Sequence, residues 1–171
     1  MRKIAVFGSA FNPPSLGHKS VIESLTHFDL VLLVPSIAHA WGKSMLDYSM
    51  RCQLVEAFIG DLTMTNVELC RLEEQIVQPG QSVTTYQLLE ALQLRYPDDS
   101  LTFVVGPDNL LNFAKFANYR DILNKYQVLA CPEKIKVRST DIRQRLAENQ
   151  SVEELTTLRV ATLLQNQSLY H

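Results

Sequence analysis

The sequence has no excess of charge of either sign, few cysteines and no long apolar run, and each shortage removes a class of protein. Lys and Arg number 16 against 18 for Asp and Glu, a formal net charge of −2. That balance argues against broad attraction to nucleic acid, although it allows a local anion pocket. The 3 cysteines, Cys52, Cys70 and Cys131, are odd in number and lack paired metal-ligand spacing. Neither a disulfide framework nor a structural zinc site follows from them, and a reducing cytoplasm suits them better than secretion. No stretch approaches the roughly 20 apolar residues that span a bilayer. The opening Arg2-Lys3-Ile4-Ala5-Val6-Phe7 is basic and then apolar, but Gly8 and Asn12-Pro13-Pro14 interrupt it before it takes signal-peptide form. A cytoplasmic protein is therefore expected, with no nucleic-acid partner, no membrane partner and no metal ligated by its own side chains. Assembly into a homo-oligomer is left open.

What is present is apolar material, 46% of 171 residues, enough to bury one substantial core. A single domain over residues 1–171 is expected, with no internal repeat. Apolar runs at 3–7, 30–34, 65–69, 101–105 and 126–130 read as strands. Helical patterns follow at 17–27, at 48–59 behind a capping Asp47, and from Ser82 or Thr84 to Tyr96. Residues 71–80 read as a loop, and helices close the chain at 140–147 and 152–165, the last with Ser151 and Glu154 at capping-box spacing. The apolar stripe of that last helix is expected to pack on the core. Strands alternating with helices predict an α/β fold, a Rossmann-like parallel sheet with helices on both faces and a helical C-terminal segment.

The sharpest local signal is Gly8-Ser9-Ala10-Phe11-Asn12-Pro13-Pro14-Ser15-Leu16-Gly17-His18, placed after a buried strand and before a helix. Small residues let backbone approach phosphate oxygens, and amides at a helix start donate to them. The loop has neither the Gly-Lys-Ser/Thr ending of a Walker A loop nor a three-glycine dinucleotide fingerprint. Phosphate binding and a plain strand-to-helix turn both account for it. A second signal is Val137-Arg138-Ser139-Thr140-Asp141-Ile142-Arg143, where Ser139 can cap a helix and Arg143 offers a delocalised cation. A capped helix with a charged outer face is its ordinary alternative.

Residues 8–18 resemble the Gly-x-Phe-Asp/Asn-Pro-x-His/Ser/Thr-x-Gly-His signature of the nucleotidyltransferase superfamily that contains the pantetheine-phosphate and nicotinate/nicotinamide mononucleotide adenylyltransferases, with Phe11, Asn12, Pro13, Gly17 and His18 matching. Ser15 stands where many bacterial members have a first histidine. Residues 137–143 are similar to the Ile/Val-Ser-Ser-Thr-x-Ile/Val-Arg motif of the same superfamily, with Arg138 replacing the first serine. Gly106-Pro107-Asp108-Asn109-Leu110 resembles its Gly-x-Asp-x-Leu region. The resemblance implies that His18 contacts ATP phosphates and stabilises displacement at the α-phosphorus, and that Gly8 and Ser9 hold the nucleotide. It further implies that Ser139, Thr140 and Arg143 join the phosphate site and that Gly106 and Asp108 lie beside ATP. An aspartate there is also a natural cap for a helix starting near Asn109.

Within that superfamily Thr84-Thr85-Tyr86-Gln87-Leu88-Leu89 and the stretch from Gly106 to Phe116 resemble the pyridine-mononucleotide branch, which implies that Thr85 and Phe116 border the pyridine ring. Read without the family, Phe116 is a core aromatic. His39-Ala40-Trp41-Gly42-Lys43 occupies the region of the Pro-Pro-His-Lys substrate loop in a different spelling. There Lys43 can contact a mononucleotide phosphate and Trp41 can stack on a ring, although both also suit a plain surface loop. The implied reaction is attack of a pyridine mononucleotide phosphate on the α-phosphorus of ATP, with Mg2+ on the ATP phosphates and with His18, Lys43 and Arg143 offsetting charge. Nicotinamide mononucleotide, giving NAD, is the expected acceptor. Nicotinate mononucleotide, phosphopantetheine and a noncatalytic nucleotide-binding regulatory protein are the alternatives.

Overall fold

A computed structural model describes residues 1–38 and 45–171. Five parallel strands form one sheet in the order β3-β2-β1-β4-β5, with β1 at Lys3–Ser9, β2 at Leu30–Pro35, β3 at Val67–Leu69, β4 at Ser100–Val105 and β5 at Gln127–Ala130. The helices are α1 (Leu16–Ile22), α2 (Tyr48–Gly60), α3 (Leu72–Ile76), α4 (Thr85–Arg95), α5 (Pro107–Leu111), α6 (Tyr119–Lys125), α7 (Ser139–Ala147) and α8 (Leu158–Asn166). The Rossmann-like α/β expectation is met.

Continuous apolar runs make the inner strands because both faces of the sheet are covered. Side chains alternate across a strand. Ala5, Phe7, Val31, Leu33 and Val104 therefore enter one core, with Val21 of α1, Leu54, Val55 and Phe58 of α2, Ile142 of α7 and Leu164 of α8. Ile4, Val6, Leu32, Val34, Leu101 and Phe103 enter the other, with Leu72 of α3, Leu88, Leu89 and Leu92 of α4 and Ile122 of α6. Strand order reverses at β1, whose neighbours are β2 on one side and β4 on the other. At such a reversal the connections leave in opposite directions and open a crevice beyond the strands' carboxyl ends.

Several elements differ from the sequence reading: β3 starts at Val67, α1 ends at Ile22, and α6 has no counterpart in it. The 71–80 segment contains α3, because Leu72 turns inward to the core on one short turn. Helix α5 starts at Pro107 with Gly106 as its N-cap, so Asp108 sits inside the first turn and does not cap it. Ser139 is the first residue of α7 and Arg138 is the N-cap. The last helix begins at Leu158, since residues 152–157 unwind to bond the loop after β1: Leu16 N–H donates to Leu155 O at 2.9 Å and Thr156 Oγ1 to Pro14 O at 2.8 Å. Val152 and Leu155 are buried all the same. The helical period predicted their burial, and the polar demands of the facing loop decided their conformation.

The three cysteines are free and buried. Among the described residues no helix is long and apolar enough to cross a membrane.

Candidate active site

A cleft of about 410 Å³ opens where β1 and β4 end, between Gly8 and Ser9 on one side and Gly106 and Asp108 on the other. Ser15, Gly17 and His18 from the start of α1 form its floor, and Arg138, Ser139 and Thr140 at the start of α7 close a third side. The crevice at the strand reversal and the two motifs read from the sequence thus coincide.

The β1–α1 loop is held from several directions. Phe11, at φ 48°, turns its ring into the core between Phe7 and His18, with ring centroids 5.7 Å and 4.7 Å away. Asn12 is buried, and its Oδ1 accepts from Leu46 N–H at 3.2 Å and from the Tyr170 hydroxyl. Ser139 Oγ donates to Pro13 O at 2.6 Å. Arg51, only 1% exposed, donates to Ala10 O at 2.9 Å and Ser36 O at 2.7 Å, and its guanidinium lies 5.6 Å from the centre of the Tyr48 ring. Half-buried loop carbonyls are satisfied by that one buried cation. Close by, Glu73 accepts from Ile37 N–H at 3.1 Å, and burial raises its carboxyl pKa to about 7.

His18 has a defined proton. Ser15 N–H donates to its Nδ1 at 3.0 Å, which requires that nitrogen to be an acceptor. The proton of the neutral ring therefore sits on Nε2, which is 3.0 Å from Ser9 Oγ at the cleft wall. Burial lowers the imidazole pKa to about 4, so the ring is neutral at pH 7. Ser15 also caps α1, with His18 N–H donating to its Oγ at 3.3 Å, while the hydroxyl reaches Val137 O at 3.2 Å. The serine in place of a first histidine thus orients the second.

Glycine is required by close approach at Gly17, where a Cβ would lie 2.2 Å from Val137 O. Gly8 and Gly106 differ: a Cβ would meet only Val34 O at 3.8 Å at the first and nothing within 4 Å at the second. Their lack of side chains leaves room along the cleft wall, as backbone approach to a nucleotide needs.

Other expected site residues stand elsewhere. Arg143 does not line the cleft; its Nη1 donates to Asn12 O at 2.7 Å and its Nη2 to Thr140 Oγ1 at 3.1 Å, so it braces the loop from behind. Phe11 and Asn12 shape the loop from inside the core and do not form its surface. Thr85 opens α4 after Thr84, which caps it through Gln87 N–H at 3.2 Å. Phe116, half-buried at the edge of one core, stacks on Phe113 at 4.9 Å and meets Phe103 edge-on at 6.0 Å. Trp41 and Lys43 lie outside the described residues.

Sequence reasoning passed over Arg51, Thr156 and Tyr170. Arg51 had a readable signal, since it shares a helical face with Leu54, Val55 and Phe58 at spacings that put a lone cation among core residues. Tyr170 had none, because its partner Asn12 is at the other end of the chain.

A parallel sheet whose reversal point carries glycine-walled space, a helix start and a proton-donating imidazole defines a nucleotide-binding α/β protein. The cytidylyltransferase-like family matches residues 6–145. A solved structure from Vibrio parahaemolyticus described as a "Putative Nicotinate-nucleotide Adenylyltransferase" is 54% identical, with 99% of this chain and 96% of that one covered and a TM-score of 0.90. A Myxococcus xanthus (strain DK1622) relative named "Probable nicotinate-nucleotide adenylyltransferase" is 26% identical over 98% of this chain and 94% of its own length. The nicotinic acid mononucleotide adenylyltransferase of Plasmodium falciparum, solved with NaAD, shares the fold at 15% identity and a TM-score of 0.79. The chain belongs to the cytidylyltransferase-like family and, within the nucleotidyltransferase superfamily, to the nicotinamide/nicotinate mononucleotide adenylyltransferases.

Proposed function

We propose that the protein transfers the adenylyl group of ATP to nicotinate mononucleotide, forming nicotinate adenine dinucleotide and pyrophosphate. The observation that carries the reading is His18: a neutral imidazole with its donor nitrogen at the wall of the cleft between the ends of β1 and β4. The mononucleotide phosphate is already ionised near neutral pH and needs no general base. Its oxygen bonds to the α-phosphorus as the bond from that phosphorus to the bridging oxygen of the β-phosphate breaks, and pyrophosphate leaves with the electron pair. His18 Nε2–H and the amides at the start of α7 donate to the phosphate oxygens on which charge accumulates. Arg143 acts by holding Asn12 and Thr140 in place.

Mg2+ fits as a companion of the nucleotide. Among the described residues no three His, Cys, Asp or Glu side chains gather as a metal cage, and the cleft offers only Asp108 and Glu133 as carboxylates. That set suits an ion that keeps its waters and is held by one or two carboxylates together with substrate phosphates. When bound it would neutralise phosphate charge.

Nicotinate replaces nicotinamide as the preferred acceptor on two grounds. The relatives described above carry the nicotinate name. If Thr85 borders the pyridine ring, the start of α4 presents backbone N–H groups and the positive end of a helix dipole, which favour a carboxylate over a neutral carboxamide. Trp41 and Lys43 remain assigned to the acceptor's side of the site.

Incubation with ATP and Mg2+ and, separately, nicotinate mononucleotide, nicotinamide mononucleotide and phosphopantetheine tests the proposal, with products identified by mass spectrometry. Nicotinate adenine dinucleotide should form fastest. Faster NAD or dephospho-CoA would move the assignment to that acceptor, and specific ATP binding with no product would favour a regulatory nucleotide-binding protein.

A further inference from the structure

Charge is distributed unevenly around the cleft. Asp108 and Glu133 stand on its walls, and Arg138 is the one Lys or Arg among the described lining residues. Arg143, which the motif assigns to the phosphates, is not among those lining residues; it places one N–H group on Asn12 O at 2.7 Å and another on Thr140 Oγ1. The one guanidinium among the described lining residues is thus that of Arg138, which stands where the resembling motif has a serine.

The backbone of Arg138 is fixed while its side chain is not. Arg138 N–H donates to Asp141 Oδ2 at 2.9 Å, and Asp141 N–H donates to Arg138 O at 3.0 Å. The side chain is 63% exposed, and its Nη2 lies 3.8 Å from Asp108 Oδ2 and 3.6 Å from Glu133 Oε1. Both contacts are longer than a direct charge-assisted hydrogen bond, and exposed pairs of this kind contribute little to stability. They hold the guanidinium over the cleft without committing it, and they neutralise carboxylates that would otherwise repel an anionic ligand. Phosphate oxygens offer the fork of N–H groups a better-matched partner.

We propose that Arg138 is an exchangeable clamp for the β- and γ-phosphates of ATP, leaving Asp108 and Glu133 when triphosphate enters and holding the pyrophosphate as it departs. The identity of the ligand rests on the adenylyltransferase reading above. The exchange also frees Asp108 as a carboxylate beside the bound phosphates.

Calorimetry on the full chain with inorganic tripolyphosphate and with AMP separates the phosphates concerned, because AMP lacks the β and γ groups. In Arg138→Ala and Arg138→Ser the dissociation constant for tripolyphosphate should rise about tenfold or more, and Arg138→Lys should recover part of the loss because it keeps the charge without the fork. AMP affinity should stay within about twofold and the melting temperature should not move, as expected for a side chain in weak exposed pairs. Unchanged tripolyphosphate affinity, or equal weakening toward AMP and tripolyphosphate, would overturn the clamp. A fall in melting temperature accompanied by loss of both ligands would overturn it as well. The readout needs no turnover. A protein that binds tripolyphosphate through Arg138 yet makes no dinucleotide refutes the enzymatic reading alone, and one that makes dinucleotide with tripolyphosphate binding untouched by the substitutions refutes the clamp alone.

Discussion

The two halves of the cleft are built on opposite plans. On the β1–α1 side every functional group is neutral and over-determined: His18 is bonded through Ser15, and the loop beneath it is tied to α2, α7, the 152–157 segment and Tyr170. On the opposite side Arg138 and Asp108 are exposed and touch each other only across 3.8 Å. The difference teaches where precision and charge each reside. A rigid wall of neutral donors can be aimed at a developing charge without reorganising, whereas exposed ions can trade partners as a charged ligand enters and leaves.

The largest expected consequence falls on the rigid half. Replacing His18 with Ala removes the donor that the proposed mechanism directs at the reacting phosphate and should lower turnover by about 10²–10³-fold. Circular dichroism should show the sheet and helices retained, and a variant that keeps normal turnover would remove His18 from the chemistry.

Next is Gly17→Ala, where the added Cβ would lie 2.2 Å from the carbonyl of Val137. Because the clash is with backbone, α1 and the 135–137 segment must separate, at a cost of about 1–3 kcal/mol in denaturant unfolding. ATP binding should weaken with it, since the same contact brings the two halves together. Unchanged stability and affinity would mean that this side is more pliant than its bonding implies.

The last effect is one of pH, and it leaves turnover at neutral pH untouched. The His18 pKa in the fold, about 4, lies below the ordinary 6.5. Between these values the unfolded chain binds more protons than the native one, so the contribution of His18 to stability is complete above pH 6.5 and is lost as pH falls toward 4. His18→Gln should flatten that part of the stability curve in urea titrations at stepped pH. Glu73 acts in the reverse sense: its pKa is raised from 4.5 to about 7, so its contribution is complete below pH 4.5 and is lost as pH rises through 7. A His18→Gln variant with an unaltered acid limb would show that the imidazole is better solvated than its surroundings imply.

Much of this was legible along the chain. Apolar runs of strand length, helical spacings between them and the glycine-bearing loop after β1 predicted a parallel α/β sheet and a phosphate site at its edge. The motifs brought His18, Ser139, Thr140, Gly106 and Asp108 together before any coordinates did. Errors arose where long-range polar contacts outvoted local pattern. Residues 152–157 have helical spacing but are drawn into bonds with Leu16 and Pro14. The motif also could not show that Arg143 braces Asn12 O and Thr140 Oγ1.

By itself the sequence determined the five strands and the longer helices between them, because burial on a two-sided sheet selects apolar residues at fixed periods. It also determined where glycine leaves room and which residues are available for the chemistry. Only the tertiary structure decided which nitrogen of His18 bears the proton, which arginine braces the loop and which faces the cleft. Those outcomes depend on hydrogen bonds and burial between residues far apart in the chain, and no local spacing encodes them.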